Sequence, residues 1–367
     1  MANTELSSGL LLVDKPRGVT SFDVVAAVRG ALRIKKVGHA GTLDPMATGL
    51  LVVGFGHATR LLNAIVEHSK TYEATIRLGL TTDTDDAEAE RCKRGGASVE
   101  SLTEGRIEST IAERFLGHIE QVPNSFSAIK INGQRAYDLA RDGKDVELKA
   151  RPVTIDEFTV LAARRGWANM DEPASALSQV ALAGELVPVV DIDVRVSCSS
   201  GTYIRALARD LGAALGVGGY LTRLRRTRVG RFALPDDASG LAVARNGQTH
   251  IVTAHTEAKT FTNRQGEIII RNRAILDIPG ETGAARGEWL RAHALSMLEA
   301  AQGSMPTMPI SADEAAELRF GRRIGRTLER DAVAYVPAEA DAPADVVAIV
   351  TAANAHQAKP VTVFPAI

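Results

Sequence analysis

Apolar positions along the chain recur at a few spacings, and each spacing predicts an element. Gly9 to Val13 and Leu50 to Val53 are short continuous apolar runs, which predict strands buried on both faces. Asp14-Lys15-Pro16 stops the first. Phe22, Val25, Val28 and Leu32 recur at helical spacing, so 21–33 is an amphipathic helix, and Thr20 with Asp23 makes a capping-box sequence at its start. Tyr72, Ala74, Ile76 and Leu78 alternate with Thr71, Glu73, Thr75 and Arg77, the period of a half-buried strand. Ile192, Val194, Val196 and Cys198 alternate with Asp191, Asp193, Arg195 and Ser197 in the same way. Ile204, Leu207, Ala208, Leu211 and Leu215 mark a helix, and Ser98 to Leu116 a surface helix.

The remaining text is less periodic. Asp83 to Glu90 is expected to be a solvated acidic loop. Pro123 to Lys130 followed by Asn132-Gly133 predicts a hairpin, with 136–141 turning helical. Residues 164–188, rich in Ala, Pro and Ser, read as an insertion or long loop. Around 246–260 the sequence becomes polar, which puts a domain boundary there and divides the chain into 1–245 and 256–367. The last hundred residues hold a helix at 311–319 and valine-rich strands around 346–350 and 361–364, a small and mostly β domain.

Composition adds little to this picture until it is read locally. Hydrophobic residues make up 45% of the 367, enough for a sizeable core. The formal net charge of −1 gives no overall reason to expect a polyanion partner. Yet residues 81–120 carry ten Asp or Glu against five Lys or Arg, and residues 201–231 carry seven Arg against Asp210 alone. A local basic stripe binds phosphates whatever the total. Cys92 and Cys198 lie far apart with no C-x-x-C, which fits a reducing compartment. The first residues carry no signal-peptide pattern and no apolar run is long enough for a membrane span, so a cytoplasmic protein is expected.

The segment Gly38 to Gly49 is the most informative. It joins a helix to a buried strand and carries one carboxylate, Asp44. Pro45 holds Asp44 away from the α conformation, and Gly41 and Gly49 permit tight backbone on either side. Such a loop suits a positioned acid, base or nucleophile; an Asp-Pro turn with no chemistry reads the same way. Arg205 sits in the first turn of its helix, where the macrodipole disfavours a cation, so an anionic partner is expected, either a carboxylate such as Asp44 or a phosphate. Arg223, Arg225, Arg226, Arg228 and Arg231 suit phosphates, while Leu221 and Leu224 make the same stretch a partly packed element. Tyr72 is either a core tyrosine or a base-stacking one. Cys198, on an alternating strand, is expected to be buried and inert. Motifs for a catalytic zinc, a P-loop, a dinucleotide fold and a nucleophile elbow are missing.

Six ordered motifs between about residues 9 and 232 resemble the bacterial tRNA pseudouridine-55 synthase family, of the B type. They are Gly9 to Ser21, His39 to Gly49 around the single aspartate, Lys70 to Glu73, Pro123 to Lys130 with Gly133 and Tyr137, Cys198 to Arg205, and Leu224 to Phe232. The resemblance implies an α+β pseudouridine synthase fold: a large mixed, mainly antiparallel sheet flanked by helices, with a thumb-like RNA-binding segment at about 123–145. A divergent PUA-like domain would follow at 256–367. It leaves the stretches at about 164–188 and 255–305 as insertions without a job.

The same resemblance implies the chemistry. A uridine in the T loop of tRNA is flipped into a pocket. Asp44 starts cleavage of the C1′–N1 bond as nucleophile or base, Tyr72 stacks on the uracil, and Arg205 pairs with Asp44. His39, Tyr203 and Leu224 fall at positions that touch the flipped nucleotide. Lys15, in the opening motif, has a structural or RNA-backbone role, and Lys130, Arg225 and Arg226 meet RNA backbone. No metal or other cofactor is implied, and a monomer acting on the tRNA T arm without an obligate protein partner is expected. Competing readings are a non-catalytic tRNA-binding or folding protein on the same scaffold, a synthase working inside a guide-RNA complex, and an unrelated hydrolase, for which the loop offers no second carboxylate.

Overall fold

The structure is a computed structural model that describes residues 7–124, 130–131, 134–135, 148–180, 186–235, 244–245, 248–249, 251–263, 265–280, 282–340 and 342–366. In chain order, the elements used below begin with β1 (Gly9–Lys15), α1 (Ser21–Leu32), β2 (Val37–Ala40), β3 (Thr48–Phe55) and β4 (Lys70–Leu78). Next come α2 (Glu104–Arg114), β5 (Gly117–Gln121), β6 (Arg151–Asn169), β7 (Leu186–Cys198), α3 (Ile204–Leu215) and β8 (Gly219–Val229). The chain then adds β9 (Ile251–Thr262), β10 (Ile268–Leu276), β11 (Thr307–Pro309), α4 (Ala312–Arg319), β12 (Ala332–Val336), β13 (Asp345–Asn354) and β14 (Gln357–Val363). Two compact units result, one from residues 1–68 with 228–367 and the other from 69–227.

In the first unit the strand order is β10–β9–β1–β3, with β2 also on β3. β1 runs antiparallel to β3, Gly9 opposite Phe55 and Lys15 opposite Gly49, and parallel to β9, Leu12 opposite Ile251. Leu10 to Val13 and Leu50 to Val53 are buried on both faces, as their continuous apolar runs predict. One face packs Leu11, Val13, Leu51 and Val53 on Val24, Val25 and Val28 of α1. Thr20 caps α1 through a capping box with Asp23. Phe22, expected on the core face of this helix, is 61% exposed. The buried stripe begins at Ser21 and Val24 instead, and Arg29 lies over the Phe22 ring. At the end of the chain, β11–β12–β13–β14 form a four-stranded sheet around Leu318, Val347 and Val350, with α4 against it.

The expected boundary around 246–260 does not separate compact units. β9 starts at Ile251 and completes the sheet of the amino-terminal segment. The polar wording that suggested a linker belongs to a strand that is largely solvated beyond Val252.

In the second unit the order is β8–β4–β7–β6–β5. β4 and β7 pair antiparallel, Lys70 opposite Cys198 and Val190 opposite Leu78. Both were expected to show one wet face. In β4, however, Thr71, Thr75 and Arg77 are buried as well as Tyr72, Ala74, Ile76 and Leu78. The polar face is closed by bonds across the strands. Thr71 Oγ1 lies 3.0 Å from Ser197 Oγ, Thr75 Oγ1 donates to Asp193 at 2.6 Å, and Arg77 forks onto Asp191 with two bonds of 2.8 Å. Burial opposes the charge on Arg77, but the Asp191 carboxylate outweighs it and holds the guanidinium protonated. The stretch expected to be inserted from 164 also needs correction. Residues 164–169 continue β6 in register with β7, Arg164 opposite Asp191 and Asn169 opposite Leu186. Their polar side chains had hidden the strand.

Candidate active site

Asp44 opens a tight turn: the Ala47 N–H donates to the Asp44 carbonyl at 3.1 Å, and Pro45 sits where its fixed φ suits a turn. Gly41 (φ 82) and Gly49 (φ 102) occupy left-handed backbone that a side chain would strain. Three groups from the opening motif hold this loop. Ser21 Oγ accepts the Leu43 N–H at 2.8 Å and donates to the Leu43 carbonyl at 3.2 Å. The Gly18 N–H donates to the Pro45 carbonyl at 2.7 Å. Lys15 Nζ donates to the carbonyls of Val19 at 2.7 Å, Pro16 at 3.0 Å and Pro45 at 3.4 Å. Both chain neighbours of Asp44 are therefore fixed, while Asp44 itself stays half-buried. His39 lies half-buried on β2, opposite Val53.

Lys15 is fully buried against these carbonyls, a structural role of the kind expected for it. Arg226 is 1% exposed on β8. Arg225 is half-buried, and Arg223 reaches solvent. Lys130 belongs to a short antiparallel pair, Lys130 opposite Arg135 and Ile131 opposite Gln134. Its side chain, and residues 125–129, 132–133 and 136–145 of the expected thumb, lie outside the described residues.

Within the second unit, Tyr72 is buried on β4 opposite Val196. Thr227 Oγ1 donates to the Thr71 carbonyl and Thr222 Oγ1 to the Thr75 carbonyl, both at 3.4 Å. Between these contacts lie Tyr72 on one strand and Leu224, Arg225 and Arg226 on the other. Tyr203, half-buried, precedes α3 and is held by Gln121. The Tyr203 N–H donates to Gln121 Oε1 at 2.9 Å, and Gln121 Nε2 donates back to the Tyr203 carbonyl at 3.1 Å.

Arg205 is buried in the first turn of α3 with an anionic partner, as its position demands. Its Nη1 lies 3.5 Å from Asp86 Oδ2 and donates to the Thr84 carbonyl at 3.2 Å and Asn124 Oδ1 at 3.3 Å. One turn on, Arg209 bonds Asp210 at 2.8 Å and lies 3.4 Å from Asp85. The acidic stretch is thus no solvated loop at its centre. Asp86 is 2% exposed and folds on itself, accepting from Thr84 Oγ1 at 2.6 Å and the Glu88 N–H at 3.0 Å. Burial pushes the Asp85 carboxyl up, and Arg209 and Asn124 only partly offset it.

Sequence reasoning passed over Ser21, Asp86, Gln121 and Asn124. Ser21 and Asn124 lie inside quoted motifs. Asp86 is one acid among many, and nothing local marks Gln121. Cys198 is buried as expected, with its thiol pushed up to about 11 by that burial. Among the described residues no cluster of acids, histidines and cysteines has the makings of a metal site, and no helix is long and apolar enough to cross a membrane.

Comparison with known proteins adds three findings. The family model for the TruB family pseudouridylate synthase N-terminal domain matches residues 29–204, and that for the tRNA pseudouridylate synthase B C-terminal domain matches residues 205–244. A tRNA pseudouridine synthase B of Bifidobacterium longum (strain NCC 2705) is 62% identical, over 98% of each chain. One of Arthrobacter sp. (strain FB24) is 45% identical, over 97% of this chain and 96% of the relative. Among solved structures, a Cbf5-Nop10-Gar1 complex aligns at TM-score 0.58 and 22% identity, over 98% of this chain and 84% of that one. An H/ACA RNP bound to a substrate RNA containing 2′-deoxyuridine aligns at 0.57 and 20%, over 100% and 92%. At that identity the two structures speak for the fold alone.

Proposed function

Since this chain belongs to the TruB family of pseudouridylate synthases, we propose that it isomerises uridine to pseudouridine in tRNA, at position 55 of the T loop. The supporting observation is the Asp44 loop, fixed through both neighbours of a half-buried carboxylate and lying inside the matched segment. A carboxylate whose position is set by backbone bonds needs little reorganisation when it acts.

The reaction runs in three stages. The target nucleotide leaves the stack and enters a pocket. Asp44 then starts cleavage of the C1′–N1 bond, as a nucleophile on the sugar or by taking a sugar proton. The freed uracil turns, C5 bonds C1′, the C5 proton is lost and N1 regains one, so the product is an isomer of the substrate. Tyr72 stacks on the uracil, and His39, Tyr203 and Leu224 contact the flipped nucleotide. Arg205 pairs with Asp44. Arg205 is itself anchored through Nη1 to Asp86 and Asn124. Arg225, and Lys130 from the thumb-like segment, meet RNA backbone. The protein acts as a cytoplasmic monomer, and the four-stranded β11–β14 sheet with α4 is its PUA-like RNA-binding module.

Mapping of pseudouridine in an unmodified tRNA transcript tests the position. Modification at 55, and none in a transcript with cytidine there, is expected; modification only elsewhere overturns the T-loop assignment.

A further inference from the structure

α1 and the β9–β10 hairpin enclose an open groove of about 830 Å³ within the first unit. Its charge is one-sided. Among the described residues, Arg33, Lys259, Arg271, Arg273 and Arg286 line it against a single lining carboxylate, Asp23, which is already bonded to the Thr20 N–H and hydroxyl in the capping box. Lys259 and Arg271 face each other across the hairpin, as do Glu257 and Arg273. Phe261 is 38% exposed beside them, with the Arg271 guanidinium 5.5 Å from its ring centre. Cations along a channel with an exposed aromatic are the elements of a nucleic-acid strand site.

The helix and hairpin that line the groove also brace the catalytic loop. Asp23 is two residues from Ser21, which clamps Leu43. Thr256 Oγ1 of the hairpin donates to the Arg17 carbonyl at 2.6 Å and Asn272 Nδ2 to the Gly18 carbonyl at 2.9 Å. The Gly18 N–H in turn holds Pro45. From Asp23 to Arg33 the helix covers about 15 Å, room for a few phosphates in a row.

We propose that the groove between α1 and the β9–β10 hairpin is an RNA-backbone site, which binds phosphates of the substrate tRNA outside the nucleotide being modified. The partner's identity rests on the function proposed above; the anionic chemistry rests on the groove itself. It gives the stretch at about 255–305, which the resemblance left without a job, a role in holding substrate.

The test is the salt dependence of tRNA binding. Affinity for an unmodified tRNA transcript is measured across salt for the wild type and for Lys259→Ala/Arg271→Ala/Arg273→Ala. A charge-keeping variant, Lys259→Arg/Arg271→Lys/Arg273→Lys, is run beside them. The alanine variant is expected to bind on the order of tenfold more weakly near physiological salt, with a log–log slope shallower by about 2–3, since each phosphate contact contributes roughly 0.9. The charge-keeping variant should follow the wild type. Coinciding slopes for wild type and alanine variant would overturn the proposal, and so would an equal loss in the charge-keeping variant, which would make the effect one of packing. Pseudouridine formation by the wild type, scored in the same samples, decides the enzymatic reading independently of the slopes.

Discussion

At the scale of single residues, the structure separates groups that act from groups that hold. Lys15 holds. Its ammonium satisfies three carbonyls, one of them Pro45 next to Asp44. Lys15→Met would leave those carbonyls buried without the charged donor, at about 1.5–3 kcal/mol for a charge-assisted bond. A lower thermal midpoint is expected, together with a fall in kcat and near-normal tRNA affinity. An unchanged kcat in folded Lys15→Met would separate the clamp from catalysis. Arg205→Ala should likewise reduce turnover more than binding. It leaves Asp86, at 2% exposed, without the guanidinium beside it. Equal losses in kcat and affinity would assign Arg205 to RNA contact instead. The motif around Asp44 was legible in the sequence because proline fixes the backbone locally and glycine permits the left-handed turns beside it. Burial of Lys15 and Arg226 was not, because exposure depends on which strands close over a side chain.

At the scale of elements, the β4–β7 pair shows why alternation misleads. Alternating polar residues predicted a wet face, and that face is filled by a cross-strand polar ladder. Partners so far apart in sequence, Arg77 and Asp191 among them, leave no periodic trace. Removing one member of such a buried pair costs about 3–5 kcal/mol, whereas replacing both with apolar groups is often close to neutral. Arg77→Met should lower stability by about that amount, and Asp191→Leu added to it should restore most of the loss. Denaturant unfolding followed by Trp167 fluorescence in a Trp289→Phe background reads this unit. A double variant as unstable as the single would show that the ladder is irreplaceable.

In α4 the sequence was more informative: Ser311 and Glu314 form a capping box, and the helix lies where its pattern placed it. Arg326 and the Ser311 N–H hold the Glu314 carboxyl down to about 2. A depressed carboxylate stabilises the fold above its ordinary value of 4.5 and loses that contribution as pH falls toward about 2. Glu314→Gln should therefore melt below wild type at pH 7, with the gap closing across that window. A gap independent of pH would assign the effect to helix packing.

At the scale of the molecule, net charge said nothing and local charge a great deal. The acidic stretch at 83–90 and the Arg pair on α3 are complementary within one unit, with Asp85 and Asp86 meeting Arg209 and Arg205. The α+β class and the ordered motifs were legible because they rest on local runs. The division of the chain was not, because β9 crosses the apparent linker to join β1, a pairing some 240 residues apart in sequence.

The central claim is that Asp44 drives isomerisation of a tRNA uridine. Its most direct test is tritium release from a tRNA T-arm hairpin labelled at uracil C5, run with wild type and Asp44→Ala while binding is measured in parallel. Release by the wild type, with none from an Asp44→Ala protein that still binds, is the predicted result. Binding without release by the wild type, or undiminished release from Asp44→Ala, would contradict it.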